Sequence, residues 1–72
     1  MFLTISCNQK KNIFYFDYSD GKSYIFYSPE TAIQALIDIL QQQTLIFINS
    51  AKILAKNYIH EAYIYNKIEL EV

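Results

Sequence analysis

Arginine and tryptophan are absent from this chain, and cysteine, histidine, glycine, proline and methionine occur once each. Each scarcity removes a class of function. Without arginine there is no guanidinium fork for bidentate contact with phosphate or guanine. A single cysteine, Cys7, forbids an internal disulfide and fits a reducing compartment, the cytoplasm or an organellar stroma or matrix. One cysteine and one histidine, His60, fall short of the ligand set of a zinc site. The longest apolar runs, such as Leu45–Ile48, are far shorter than the roughly 18 residues of a membrane helix. The N-terminal MFLTISCNQKK lacks the apolar stretch of a signal peptide. The expectation is a soluble intracellular domain that does not engage a membrane.

What is present is an apolar, aromatic chain of 72 residues, 53% hydrophobic and 17% aromatic. That length makes one domain, residues 1–72, and a small one. A single core of this size supplies only a few kcal/mol of net stability. The apolar composition compensates and excludes a disordered or low-complexity chain. Six lysines face seven acids, for a net charge of −1. Half the residues are Phe, Tyr, Met, Ile, Asn or Lys, which AT-rich codons encode. This points to an AT-rich genome: a low-GC bacterium, a mobile element or an organelle.

Along the chain, Asn12–Tyr18 and Tyr24–Ser28 are aromatic and β-rich, with Ser19-Asp20-Gly21-Lys22 between them. Two apolar runs around an Asp-Gly turn predict a hairpin. Phe2–Ser6 reads as a third strand or as the start of a longer excursion. Ser28-Pro29-Glu30 is a helix start: a capping hydroxyl, a proline at the first helical position and an acid at the positive end of the dipole. Ile33, Leu36, Ile37 and Leu40 follow at helical spacing, with Gln34, Asp38 and Gln41 opposite, and the helix is expected to end within Gln41–Gln43. Leu45–Ile48 reads as a short strand buried on both faces, and Asn49-Ser50 as a turn.

Ala51–Ile59 is open to two readings. Phe47, Ala51, Leu54, Ala55, Tyr58 and Ala62 share one helical face, and Lys52-Ile53-Leu54 equally fits a short strand before an irregular loop. From Tyr63 the pattern alternates. Ile64, Ile68, Leu70 and Val72 point one way, and Tyr63, Tyr65, Lys67, Glu69 and Glu71 the other, with Asn66 marking a turn or kink.

Hairpin, capped helix, short strand, irregular segment and final strand is the order of the β-grasp fold, a mixed sheet clasping one main helix. From Ser28 onward the chain resembles the thiamin-type and molybdopterin-type sulfur carriers of that ubiquitin-like fold. The resemblance is carried by Asn49 after an apolar strand, the pair Ile53-Leu54, the following Tyr58 or Ile59, and the closing Lys67-Ile68-Glu69-Leu70. It implies an α+β β-grasp domain with an N-terminal hairpin and a C-terminal strand in the sheet. Met1–Lys11 has no counterpart. Asn49-Ser50 stands where the family has Asn-Gly, and Tyr65-Asn66-Lys67 where it has an Asp-Gly-Asp-like turn. The family's chemistry also needs a terminal Gly-Gly, which threads a narrow adenylation channel without steric cost. This sequence stops at Val72 with no Gly-Gly behind it. The resemblance therefore implies the fold and not the acyl chemistry, unless the native chain continues.

No catalytic residue, cofactor or metal is nominated. Cys7 with His60 as its base lacks an orienting third group. His60 and Glu61 are sequence neighbours, which rarely face one another. Asp17 and Asp20 offer too few oxygens for calcium and read as turn residues. Tyr15, Tyr24, Tyr27, Tyr63 and Tyr65 could stack on RNA bases, and the net negative charge argues against it.

The favoured reading is a non-catalytic protein-binding module, a small subunit or inhibitor, with Phe14 and Phe16 in the core. Its interface is Tyr15, Tyr63, Tyr65, Lys67 and Glu69 on the outer sheet face, since tyrosine combines apolar area with a polar handle. Exposed strand edges of the NIFYF or YIFY type also invite strand addition, so a homodimer or a larger complex is compatible. The alternatives are a sulfur carrier whose Gly-Gly tail is missing here and an RNA-binding aromatic sheet.

Overall fold

The computed structural model describes residues 1–44 and 46–72, with Thr44 described in its backbone only. Its elements run β1 (Phe2–Asn8), β2 (Ile13–Tyr18), β3 (Ser23–Phe26), α1 (Pro29–Thr44), α2 (Ile48–Tyr65) and β4 (Lys67–Glu71). The strands form one sheet in the order β3-β2-β1-β4, antiparallel at every pairing. α1 packs over β2 and β3, α2 over β1 and β4, and the helices pack on each other. The α+β class expected from the sequence is present. The mixed sheet under one main helix is not: β4 runs antiparallel to β1 at the sheet edge, and the described residues form two helices.

Local chemistry explains most of the boundaries. Chain reversal between β2 and β3 uses Gly21 at φ 98°, a value that L side chains rarely adopt. The Gly21 N–H donates to the Tyr18 carbonyl, and the Asp20 carboxylate accepts from the Lys22 N–H. At the head of α1 the Ser28 hydroxyl accepts from the Thr31 N–H at 3.2 Å, and the Ser28 carbonyl accepts from the Ala32 N–H. These are the capping bonds that Ser28-Pro29 predicts.

α2 takes up the last residue of the expected strand Leu45–Ile48, the turn and irregular segment after it, and the first part of the final strand. Leu45 lies outside the described residues, Ile46 and Phe47 belong to no strand, and Ile48 opens the helix. Phe47 stands at the N-cap with no side-chain capping bond, so the usual start signal is missing. Ala51, Ala55, Ile59 and Ala62 form the buried stripe, and small side chains there let α1 and the sheet approach closely. Asn66 ends the helix at φ 69°, the left-handed position that asparagine tolerates. Its carbonyl accepts from the Cys7 N–H, so the turn passes directly into the β1–β4 ladder. The Gln9 side-chain amide also donates to the Tyr63 carbonyl, satisfying one of the open carbonyls at the end of α2.

The core lies between sheet and helices. Leu3, Ile5, Phe14 and Phe16 from the sheet meet Ala32, Leu36, Ile37 and Leu40 of α1 and the small-residue stripe of α2. The Phe16 and Phe26 rings pack edge to face with centroids 4.6 Å apart. Among the described residues no helix is long and apolar enough to cross a membrane.

Candidate interaction surface

Both helices lie on one side of the sheet, so the other side is open. Side chains alternate across a strand, and the register fixes which residues share the open face. One row runs Ile25–Tyr15–Ser6–Lys67, from β3 through β2 and β1 to β4. The next runs Ser23–Asp17–Thr4–Glu69. Ile13 lies beside Asn8, and Phe2 beside Glu71. The middle of the face is therefore small and hydroxylic, with an apolar and aromatic flank on β2 and β3 and charges on β4. Asp17, expected in the turn, sits within β2 and accepts from the Ser23 hydroxyl at 2.7 Å.

Of the five interface residues expected from the sequence, this face holds three: Tyr15, Lys67 and Glu69. Tyr15 is half-buried, and Lys67 and Glu69 are exposed. Tyr63 and Tyr65 are not on the sheet. They belong to the last turn of α2, exposed, with β4 beginning only at Lys67. A helix places consecutive residues about 100° apart, so the alternation seen from Tyr63 has no meaning within that turn. Sequence reasoning missed Ile25, which stands directly beside Tyr15 and is 50% exposed. The turn residues alone did not give this register: a two-residue Asp20-Gly21 turn would set Phe26 across from Tyr15, whereas the chain closes a three-residue loop with the Tyr18–Lys22 bond and sets Ile25 there.

The edges of the sheet differ. β4 alternates Lys67, Glu69 and Glu71 with half-buried Ile68 and Leu70. β3 carries no charge, and around it Tyr24 and Ile25 are each 50% exposed and Tyr27 73%. β2, which holds all of the NIFYF run but Asn12, is interior and presents no edge.

Cys7 and His60 are not brought together. Cys7 lies on the core side of β1, where burial pushes its thiol above the ordinary range. That makes it a weaker source of thiolate. His60 is exposed on α2 and lines a cleft of about 410 Å³ whose floor includes Phe14, Ile33 and Ile59 and whose rim includes Lys56 and Tyr63. Cys7 is not among the residues lining it. The Tyr18 hydroxyl is also raised, first by burial and then by the neighbouring Tyr24 and Asp20. Among the described residues no three His, Cys, Asp or Glu side chains converge as a metal-ligand group.

Comparison with known proteins finds no matching family model, curated protein or solved structure.

Proposed function

We propose that this chain is a non-catalytic protein-binding module that docks a partner on the open face of its sheet. The observation that carries the reading is the row Ile25–Tyr15–Ser6–Lys67, in which an isoleucine and a tyrosine stand side by side on a face that no helix covers. Tyrosine beside an aliphatic residue supplies apolar area at low side-chain entropy cost, and the flanking Lys67 and Glu69 supply a polar rim. The charges of the face, Lys67 against Asp17, Glu69 and Glu71, favour a protein over a nucleic acid, whose phosphates need cations.

The sulfur-carrier alternative draws on a strand at Leu45–Ile48 and a final strand from Tyr63. The helical assignment of Ile48–Tyr65 and the antiparallel sheet weigh against that alternative and against the β-grasp topology behind it. The binding reading does not depend on either. Its test is co-purification from the native source with Tyr15→Lys and, on the helix side, Asp38→Lys. The expected result is that Tyr15→Lys loses the associated protein and Asp38→Lys retains it. Equal recovery with both variants would remove the open face as the docking surface.

A further inference from the structure

We infer that the β3 edge is a self-association site that pairs with β3 of a second copy of this chain, joining two four-stranded sheets into one. The inference deepens the binding reading by assigning the edge to a second copy and leaving the open face to another partner.

An edge strand presents unpaired N–H and C=O groups, and proteins that remain monomeric blunt such edges with charge, proline or a covering element. β4 is blunted by Lys67, Glu69 and Glu71. Centred on Glu69, a β4–β4 pairing would set carboxylate against carboxylate at the axis, with Lys67 facing Glu71 on either side. From Ser23 to Tyr27 there is no charge and no proline, and three large apolar or aromatic side chains there are at least half exposed. A neutral strand meets its own copy without like-charge repulsion, and β3 is the edge that carries no charged side chain.

The ladder also fixes the register. The Tyr18 N–H donates to the Lys22 carbonyl at 2.8 Å, so Tyr18 and Lys22 form a hydrogen-bonded pair. Bonded and non-bonded pairs alternate along an antiparallel ladder. Tyr24 and Phe26 therefore bond to β2, across from Phe16 and Phe14, while the backbone groups of Ser23 and Ile25 point away from it. A two-fold axis at Ile25, perpendicular to the sheet, lets Ile25 exchange both hydrogen bonds with Ile25 of the second copy. Ser23 then faces Tyr27, and Tyr24 faces Phe26. The helices of both copies fall on the same side, and the two open faces become continuous with paired isoleucines at the centre.

The experiment is sedimentation velocity on the purified protein alone, from low to high micromolar, for the wild type, Ile25→Lys, Ile25→Pro and Glu69→Lys. It needs no other partner, so its outcome is independent of the open-face reading. Proline at position 25 removes an N–H that points outward and leaves the β2–β3 ladder its bonds, and circular dichroism reports whether each variant is folded. The expected result is a monomer–dimer shift for the wild type and Glu69→Lys, and monomer throughout for both Ile25 variants. Amide exchange on the wild type adds a readout without mutation: Ile25 protection should rise about tenfold or more from low to high concentration. A wild type that stays monomeric with an unprotected Ile25 amide, folded Ile25 variants that dimerise like the wild type, or loss of the dimer in Glu69→Lys would overturn the assignment.

Discussion

Phe16 is fully buried, ringed by Phe26 and the core face of the sheet. Removing its ring leaves a cavity that neighbouring strands cannot fill, at a cost of about 3–5 kcal/mol. In a domain of this size that is most of the available stability. Phe16→Ala is therefore expected to be largely unfolded in water, as read by denaturant titration with circular dichroism. Asn66 tests backbone conformation instead. At φ 69° a β-branched residue is strained, so Asn66→Val should cost about 1–2 kcal/mol, while Asn66→Gly should fold at least as well as the parent.

The raised Cys7 and Tyr18 groups set the alkaline behaviour. Both are held neutral in the folded chain more strongly than in the unfolded one. Their contribution is fully present below the ordinary thiol and phenol values and is lost as pH rises through the folded ones. Stability measured by urea titration should be flat around neutrality and decline on the alkaline side. Cys7→Ser should remove the earlier part of that decline and leave the Tyr18 part. A decline that begins near neutral pH, or one unchanged by Cys7→Ser, would contradict the assignment.

Among the elements, α1 and α2 begin differently, and that difference governs both their stability and their legibility. α1 has a side-chain cap, so Ser28→Ala should cost about 1 kcal/mol in the same titration. α2 starts at Phe47, 88% exposed and without a side-chain capping bond. Its buried stripe is mostly alanine, and its length is strewn with Ile and Tyr. Read as a string, those residues fit a strand as well as a helix, because short apolar runs carry no decisive period. The hairpin and α1 were legible because Asp20-Gly21 and Ser28-Pro29 act through local chemistry. The extent of α2 was not, because it rests on the fit of Ala51, Ala55 and Ala62 against α1 and the sheet, a tertiary fact. The interface suffered accordingly: Tyr15, Lys67 and Glu69 keep the shared face expected of them, while Tyr63 and Tyr65 leave it once residues 63–65 are helical.

As a whole the molecule is two layers thick, with a covered sheet face and an open one. All of its helical surface lies opposite the row that holds Tyr15 and Ile25. The negative balance of the open face predicts no retention of single-stranded RNA even at low salt, which filter binding checks directly. Docking through the open face itself is tested most directly by photo-crosslinking in the native cell, with a benzophenone amino acid replacing Tyr15, Asp38 or Tyr65 in turn. One discrete crosslinked protein is expected from position 15, and none in common from positions 38 and 65. The same crosslinked protein from position 65 or 38, with none from position 15, would contradict it.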